Sequence, residues 1–403
     1  MGSHTASIRW AAWEGEADLA LTFPDGWAVR LCPPADAADI GETGVAAAFA
    51  DPVGTPPLGV MARGHRRACV VVDDLTRPTP GRRLVPPILA ALGAAGIADD
   101  EITVLVGLAN HRPMVGAELA KKLGREVMAR CRVRQHVSWE GCVPLGTTTR
   151  GTPVEVNPDF LDADLRVLVG SIIPHAGTGF SGGAKLLMPG LASITSAEAF
   201  HRGPAMQGRY GVADTEARLD AEEAAAMAGV DAIVNSIPTS RMGVAGLVVG
   251  DVVRAHRAGV DIARRVFATD APADADVAVL SLYPKDGEFL QHLTAFSPYK
   301  TAPQPIVREG GTVVVALAGT EGFGHHGLFG PGRRLAAEQP TRLRGRDVVF
   351  FCPSLYPAEV PAGVVLLRTW EETIGWLTAK HGAASTVSVF PCATMQLAGS
   401  GAA

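Results

Sequence analysis

Two histidines each directly follow an apolar run of the sequence and lie beside a proline. His111 stands in "LANHRPM" after "ITVLVG", and His175 stands in "IIPHAGTG" after "LRVLVGS". Imidazole is the side chain best suited to accept and return a proton near neutral pH. Two loop histidines bonded to the backbone are the plainer explanation for each alone. Their equivalent positions give a catalytic pair equal weight, and bases on opposite sides of one carbon would suit inversion of that centre.

The stretch "HAGTGFSGGAK" begins at His175, is rich in glycine and ends on Lys185. Glycines let backbone N–H groups approach an anion closely. The stretch is not a Walker A loop, because Ala184 precedes the lysine and Leu186 follows it. A lysine flanked by small and apolar residues is partly desolvated and becomes a better nucleophile. Residue chemistry alone favours anion binding by Lys185 over covalent chemistry.

Asp74 and Arg77 stand in "DDLTRP", a short turn that follows the apolar run "ACVVV". The planar fork of an arginine matches a carboxylate or a phosphate. An Asp–Arg ion pair that shapes the turn is the simpler explanation of these two residues.

Three further histidines could bind a metal ion. His201 lies in "SAEAFHRGPAM", in a predicted short helix opened by Ser196, and an isolated histidine of this kind is more often structural. His325 and His326 are adjacent in "GFGHHGLFG", so their side chains point in different directions and joint ligation is doubtful.

Short Val/Ile/Leu-rich runs alternate with helical patterns along the chain, which predicts an α/β fold with mainly parallel sheets flanked by helices. Because ligands bind at the carboxyl ends of such strands, we expect one active site in a cleft between two domains. The predicted domains are residues 1–270, which bind the cofactor and carry catalysis, and residues 271–403, which close over the site. Helices around residues 215–268 are the predicted hinge.

Composition limits the possible partners. The chain has 403 residues, a net charge of −5 and 47% apolar residues, and no basic stripe predicts nucleic-acid binding. No apolar run reaches the length that crosses a bilayer, and the start lacks the pattern of a signal peptide. The six cysteines form no C-x-x-C pair, which favours a reducing cytoplasm.

Four segments, taken together and in order, resemble the lactate racemase family, whose members use a nickel-pincer nucleotide. They are "DDLTRPTP", "NHRPM", "GSIIPHAGTGFSGGAKLLMPG" and "SAEAFH". The resemblance covers most of residues 65–205 and is weaker in the last third of the chain. The resemblance implies an isomerase, a racemase or epimerase that acts on a 2-hydroxy acid.

The resemblance also implies a set of site residues. Lys185 would tether the cofactor, a nickel pyridinium-3,5-bisthiocarboxylic acid mononucleotide, and His201 would complete the nickel coordination. His111 and His175 would be the two acid/base groups, and Arg77 would hold the substrate carboxylate. The α-hydrogen would pass as hydride to the cofactor and back. The other implied cofactor contacts are Asp74, Thr76, Gly179, Ser181, Gly182, Gly183 and Gln291.

The last third departs from the family pattern. "YPKDGEFLQHLTA" keeps Gln291, but Leu290 stands where a tyrosine is common and Thr294 where a lysine is usual. We therefore expect a 2-hydroxy acid other than lactate. The implied partners are this substrate and the enzymes that make and load the cofactor, and a homo-oligomer is possible. The alternative is a non-catalytic sensor that binds a sugar acid or nucleotide in the same cleft.

Overall fold

The structure, a computed structural model, describes residues 4–15, 17–203, 205, 208–330, 332–335, 342–343 and 345–399. Its strands are β1 Thr5–Arg9, β2 Asp18–Thr22, β3 Ala28–Leu31, β4 Ala68–Asp73, β5 Ile102–Gly107, β6 Arg132–Gln135, β7 Val143–Thr147, β8 Pro153–Val156, β9 Leu165–Ser171, β10 Pro174–His175, β11 Gly179–Phe180, β12 Ala232–Pro238, β13 Val244–Gly250, β14 Ala268–Thr269, β15 Ala275–Ser281, β16 Val307–Ala316, β17 Arg342–Leu343, β18 Arg346–Phe351, β19 Val365–Leu367, β20 Thr386–Phe390 and β21 Leu397–Ala398. Its α-helices are α1 Gly41–Ala50, α2 Leu58–Met61, α3 Gly81–Ala94, α4 Gly116–Leu123, α5 Arg125–Arg130, α6 Pro158–Leu161, α7 Ile194–Arg202, α8 Glu216–Met227, α9 Arg254–Phe267, α10 Ser297–Thr301 and α11 Trp370–His381.

The chain divides into two compact units. The larger unit comprises Ala37–Ala263 and His326–Leu335, and the smaller unit comprises Met1–Asp36, Arg264–His325 and Ala336–Ala403. The first 36 residues belong to the smaller unit because β3 pairs in parallel with β20. The predicted domain boundary at residue 270 and the cleft between domains stay predictions.

The larger unit is built on a six-stranded sheet in the order β13-β12-β9-β4-β5-β6. All neighbours are parallel except β12 and β13, which are antiparallel. Every residue of β4 is buried, because helices cover both faces of a parallel sheet. Val70 and Val72 pack with Leu84 and Ile88 of α3 in the main apolar core of this unit.

The smaller unit contains a seven-stranded sheet in the order β17-β18-β16-β15-β20-β3, with β19 also paired to β18. Its strands are parallel apart from the short β17. The predicted α/β class with mainly parallel sheets flanked by helices is therefore confirmed.

Two predicted helices differ in detail. The stretch "GAELAKKLGREVMARC" forms α4 and α5 instead of one helix, because Gly124 between them has a φ of 82°, which a helix cannot continue through. The helix predicted to open at Ser196 begins at Ile194, and Ser193 is its N-cap, its hydroxyl accepting a hydrogen bond from the Ser196 N–H.

Candidate active site

Three neighbouring parallel strands of the larger unit end at one edge of the sheet and bring their following loops together. The strands are adjacent in the order β9-β4-β5. The loops form one pocket that is open to solvent. The residues that line it are Asp73, Asp74, Arg77, Gly107, Leu108, Ala109, His111, Ser181, Gly182, Lys185, Leu186, Pro189 and Gly190.

The loop after β4 and the loop after β5 meet in an Asp–His pair. The Nδ1 of His111 lies 2.5 Å from Oδ2 of Asp74. A carboxylate only accepts, so Nδ1 carries a proton and Nε2 is the nitrogen left for proton exchange. Burial opposes ionisation of Asp74, yet His111, Arg77 and Thr76 together hold the pKa of its carboxyl well below its usual range.

Thr76 and Arg77 fix the other side of this carboxylate. The backbone N–H and the hydroxyl of Thr76 both donate to Oδ1 of Asp74, at 2.9 and 2.5 Å. Arg77 donates through Nη1 to the carbonyl oxygen and the hydroxyl of Thr76, at 3.1 and 2.8 Å. The sequence suggested an Asp–Arg ion pair as the simpler explanation; here the Asp74 carboxylate is bonded to His111 and Thr76, and Arg77 is bonded to Thr76.

A buried lysine that sequence reasoning missed holds the turn from below. Lys122 is fully buried, and its Nζ lies 2.6 Å from Oδ1 of Asp73. The same Nζ donates to the carbonyl oxygens of Asp74 and Arg77, at 2.8 and 3.0 Å. Burial lowers the pKa of Lys122 even with Asp73 beside it. The available signal was its spacing from Leu119, because residues three apart share a helix face.

His175 opens the glycine-rich loop in a tight turn. β10 and β11 pair antiparallel, with His175 opposite Gly179. The Nδ1 of His175 accepts hydrogen bonds from the backbone N–H groups of Gly177 and Thr178, at 3.1 and 3.3 Å. Its Nδ1 is therefore an acceptor, whereas that of His111 is a donor.

Three buried side chains from elsewhere in the unit hold the loop through its backbone. Arg218 of α8 donates to the carbonyl oxygens of Phe180, Ser181 and Gly182. His256 of α9 lies 3.0 Å from the same Ser181 oxygen, and Asn235 accepts from the Gly183 N–H at 2.6 Å. The sequence gave no motif for these residues, because each lies more than 30 positions from the loop.

The protein's own packing explains why glycines occur in the loop. Gly179, Gly182 and Gly183 have φ values of 71°, 71° and 57°, which favour glycine. A Cβ at Gly179 would lie 1.6 Å from the Val212 carbonyl oxygen, and one at Gly182 would lie 2.7 Å from Oδ1 of Asn235. Contact of these glycines with a cofactor stays a prediction.

Lys185 lines the pocket from a short 3₁₀ turn, Gly183–Leu186. Burial and the nearby positive charges of Arg77 and Arg218 lower the pKa of its amine to about 7. A substantial share of the amine is therefore uncharged near neutral pH and can act as a nucleophile.

His201 lies in the last turn of α7, between the rings of Phe200 and Phe329 at centroid distances of 5.5 and 5.2 Å. Its Nδ1 donates to the Ala197 carbonyl oxygen at 2.7 Å, which leaves a lone pair on Nε2. Burial lowers the pKa of the ring to about 4, so the imidazole is neutral. A neutral imidazole with a fixed tautomer is a suitable metal ligand.

His326 is an additional histidine beside His111. The two ring centroids are 5.1 Å apart, with the rings at 67°. The Nδ1 of His326 accepts from the N–H groups of Leu328 and Phe329, both at 3.1 Å. Within the described ranges of the chain, no three His, Cys, Asp or Glu side chains are grouped as a metal site.

The structure thus brings half of the predicted site residues to one pocket: Asp74, Arg77, His111, Ser181, Gly182 and Lys185. Thr76 touches both Asp74 and His111 from outside the lining. His175, His201, Gly179 and Gly183 are in the same unit and also outside the lining.

Gln291 belongs to the smaller unit. Its side-chain amide donates to the Glu288 carboxylate at 3.0 Å, and its backbone carbonyl oxygen accepts from the Thr294 hydroxyl at 2.8 Å. The role of Gln291 stays a prediction.

Comparison with known proteins gives a consistent result. Residues 15–211 match the family described as lactate racemase N-terminal domain. The lactate racemase of Lactiplantibacillus plantarum is 29% identical over 287 residues, which cover 69% of this chain and 66% of that protein. The lactate racemase of Thermoanaerobacterium thermosaccharolyticum is 27% identical over 330 residues, covering 79% of this chain and 76% of that protein.

Solved structures agree on the fold. The apoprotein of the lactate racemase from Thermoanaerobacterium thermosaccharolyticum matches with a TM-score of 0.76 and 21% identity, over 98% of this chain and 99% of that one. A protein of Thermotoga maritima matches with a TM-score of 0.65 and 17% identity, over 85% of this chain and 96% of that one. In the described part of the chain, no helix combines the length and apolarity needed to cross a membrane.

Proposed function

We propose that the chain is a racemase or epimerase of a 2-hydroxy acid, because residues 15–211 match the lactate racemase N-terminal domain and the two relatives described above are lactate racemases. The observation that carries the proposal is the pocket at the ends of β4, β5 and β9. The pocket brings together the nucleophilic amine of Lys185, the imidazole of His111, which a carboxylate orients, and the guanidinium of Arg77.

The residues present fit a nickel-pincer nucleotide. The Lys185 amine, with its pKa lowered to about 7 by burial, suits a covalent tether, and the neutral Nε2 of His201 suits a soft divalent metal. His201 offers a single imidazole, so the remaining donors would come from the bound group. When bound, the nucleotide supplies the acceptor for the α-hydrogen of the substrate.

The chain's own residues handle the proton and the carboxylate. His111 accepts the hydroxyl proton at Nε2 as the C2 carbonyl forms, and Asp74 stabilises the resulting imidazolium. Arg77 donates two hydrogen bonds to Thr76, and its other N–H groups suit the substrate carboxylate. His175 is the proposed second group on the opposite face.

We propose a substrate other than lactate, because Leu290 and Thr294 replace a tyrosine and a lysine of the family pattern. A cytoplasmic location is part of the same proposal, since all six cysteines are free thiols.

The test is a racemisation assay with protein coexpressed with cofactor-making enzymes. The panel comprises lactate and longer aliphatic, aromatic, dicarboxylic and sugar-derived 2-hydroxy acids, each as one enantiomer. We expect one nickel per chain, a mass increase on the Lys185 peptide, and loss of optical rotation with at least one acid. His111→Ala and His175→Ala should each abolish interconversion with nickel retained, and His201→Ala should release nickel.

His65→Ala is the matched control, because His65 is a partly exposed histidine that pairs with Asp164. It should retain full activity. An unmodified Lys185 peptide without nickel would contradict the cofactor assignment. Acids that raise the melting temperature without any turnover would instead support the non-catalytic sensor.

A further inference from the structure

The four histidines described at the candidate site fall into two classes by the nitrogen that carries the proton. His111 and His201 donate from Nδ1, to a carboxylate and a carbonyl oxygen that can only accept. His175 and His326 accept at Nδ1 from backbone N–H groups, which can only donate. A neutral ring of the second class must carry its proton on Nε2.

We propose that His111 and His175 are held in opposite tautomers, so that His111 removes the substrate proton and His175 donates a hydrogen bond from Nε2 to the substrate oxygen. The inference rests on the proposed function and divides its two histidines between different tasks. Asp74 is the positioning residue for His111. The backbone of Gly177 and Thr178 positions His175.

The turn around His175 opposes its conversion to a base. Two backbone N–H groups point at Nδ1, so a proton placed there would face two donors. The Thr178 hydroxyl lies 3.2 Å from the same Nδ1, but it donates to the Phe180 carbonyl oxygen at 2.8 Å. His175 therefore accepts a proton at Nε2 only after its Nδ1 has left this turn, whereas His111 accepts one without any rearrangement.

The opposite arrangement holds at His111. The carboxylate of Asp74 takes the Nδ1 proton and is itself fixed by the two donors of Thr76 on Oδ1. The lone pair on Nε2 is then the only site where the ring gains a proton, and the carboxylate stabilises the charge that results.

The primary test is spectroscopic and independent of turnover. The full chain, without cofactor, is labelled with ¹⁵N-histidine, and two-bond ¹H–¹⁵N correlations at alkaline pH report which nitrogen of each neutral ring is protonated. His111→Gln and His175→Gln identify the two spin systems. We expect His111 as the Nδ1–H form and His175 as the Nε2–H form. The same tautomer in both rings would overturn the proposal.

The spectrum contains its own references. The Nε2 of His136 lies 3.0 Å from the Ala192 carbonyl oxygen, and the Nε2 of His256 lies 3.0 Å from the Ser181 carbonyl oxygen. Both rings should therefore show the Nε2–H form. Asp74→Asn should convert His111 to the Nε2–H form, because Thr76 keeps Oδ1 in place and the new amide then donates to Nδ1. Asp99→Asn, at a surface pair with Arg130, should change neither ring.

A second measurement follows keto-acid formation from each enantiomer in a single turnover of the cofactor-loaded protein. The glutamine amide in His175→Gln can still donate a hydrogen bond but cannot exchange protons. This variant should therefore still form keto acid from both enantiomers, whereas His111→Gln, which lacks the base, should lose keto-acid formation from both. Equal losses from both enantiomers in both variants would contradict the division of tasks. If no acid is racemised but the tautomers are opposite, the proposed function fails and the tautomer assignment stands.

Discussion

The turn after β4 and the loop after β9 line the same pocket but are held in different ways. In the turn, carboxylates are the main acceptors: Asp74 accepts hydrogen bonds from His111 and Thr76, and Asp73 forms an ion pair with Lys122. In the loop, buried cationic and polar side chains, led by Arg218, bind backbone carbonyl oxygens.

The two regions also differ in the charge of the groups that face the pocket. Burial opposes ionisation of Asp74, but its partners keep it a carboxylate and lower its pKa. Burial also lowers the pKa of Lys185 to about 7, and there the surrounding arginines act in the same direction. The turn therefore supplies a charged positioning group, and the loop supplies an amine that is partly uncharged near neutral pH.

The largest expected effect is on the turn. Lys122→Met should lower the free energy of unfolding by about 3–5 kcal/mol, because it leaves the Asp73 carboxylate buried without its cation. Urea-induced unfolding measures the change. The double variant Lys122→Met, Asp73→Asn is the control and should recover part of the loss. A single-variant loss below about 1 kcal/mol would show that the pair does not hold the turn.

The loop should respond to pH through Lys185. The folded pKa near 7 lies below the ordinary value of 10.5, so the unfolded chain binds more protons between these values. Stability contributed by this amine is therefore present above pH 10.5 and is lost as pH falls to about 7. Lys185→Met should remove this contribution, at most about 1.4 kcal/mol per pH unit.

Stability curves of the wild type and Lys185→Met, measured by urea unfolding across this pH range, give the difference directly. Identical pH dependence in the two proteins would show that the amine titrates as an exposed lysine.

The guanidinium of Arg218 should affect the reactivity of Lys185. Arg218→Met removes a nearby positive charge, so the amine pKa should rise and acylation of Lys185 near pH 7 should slow several-fold. Peptide mass spectrometry of the cofactor-free protein measures this rate. Arg166→Met is the matched control, because Arg166 also binds backbone carbonyl oxygens, at Phe160, Leu161, Ala228 and Gly229. Equal slowing in both variants would indicate a general loss of structure.

The smallest expected effects on stability come from removing one hydroxyl group from each region. Ser181→Ala removes a buried hydroxyl that donates to the Ser171 carbonyl oxygen at 2.6 Å and accepts from the Ile173 N–H at 3.0 Å. It should cost about 1–3 kcal/mol, because both backbone groups lose a partner. Thr76→Val, at a half-buried position, should cost about 0.5–1.5 kcal/mol. Thermal unfolding ranks them, and a larger cost for Thr76→Val would reverse the expected order.

The sequence was sufficient for the fold class and for six of the thirteen residues that line the pocket. Continuous apolar runs predicted the buried parallel strands, and polar residues after those runs predicted the groups at the strand ends. Asp74, His111 and Lys185 were named in this way, and the structure places all three in one pocket. The break between α4 and α5 was missed, because a glycine inside a helical pattern does not reveal its φ angle.

By itself, the sequence determined which residues follow each strand, because local hydrophobic periodicity and chain order fix strand ends. Only the tertiary structure decided the protonation geometry: that Lys122 lies beneath Asp74, that Arg218 reaches the loop near Lys185, and that Nδ1 donates in His111 but accepts in His175. These features depend on the positions of single donors and acceptors from distant segments. Hydrogen bonds and charge interactions act over a few ångströms, and distance along the chain does not encode distances of that kind.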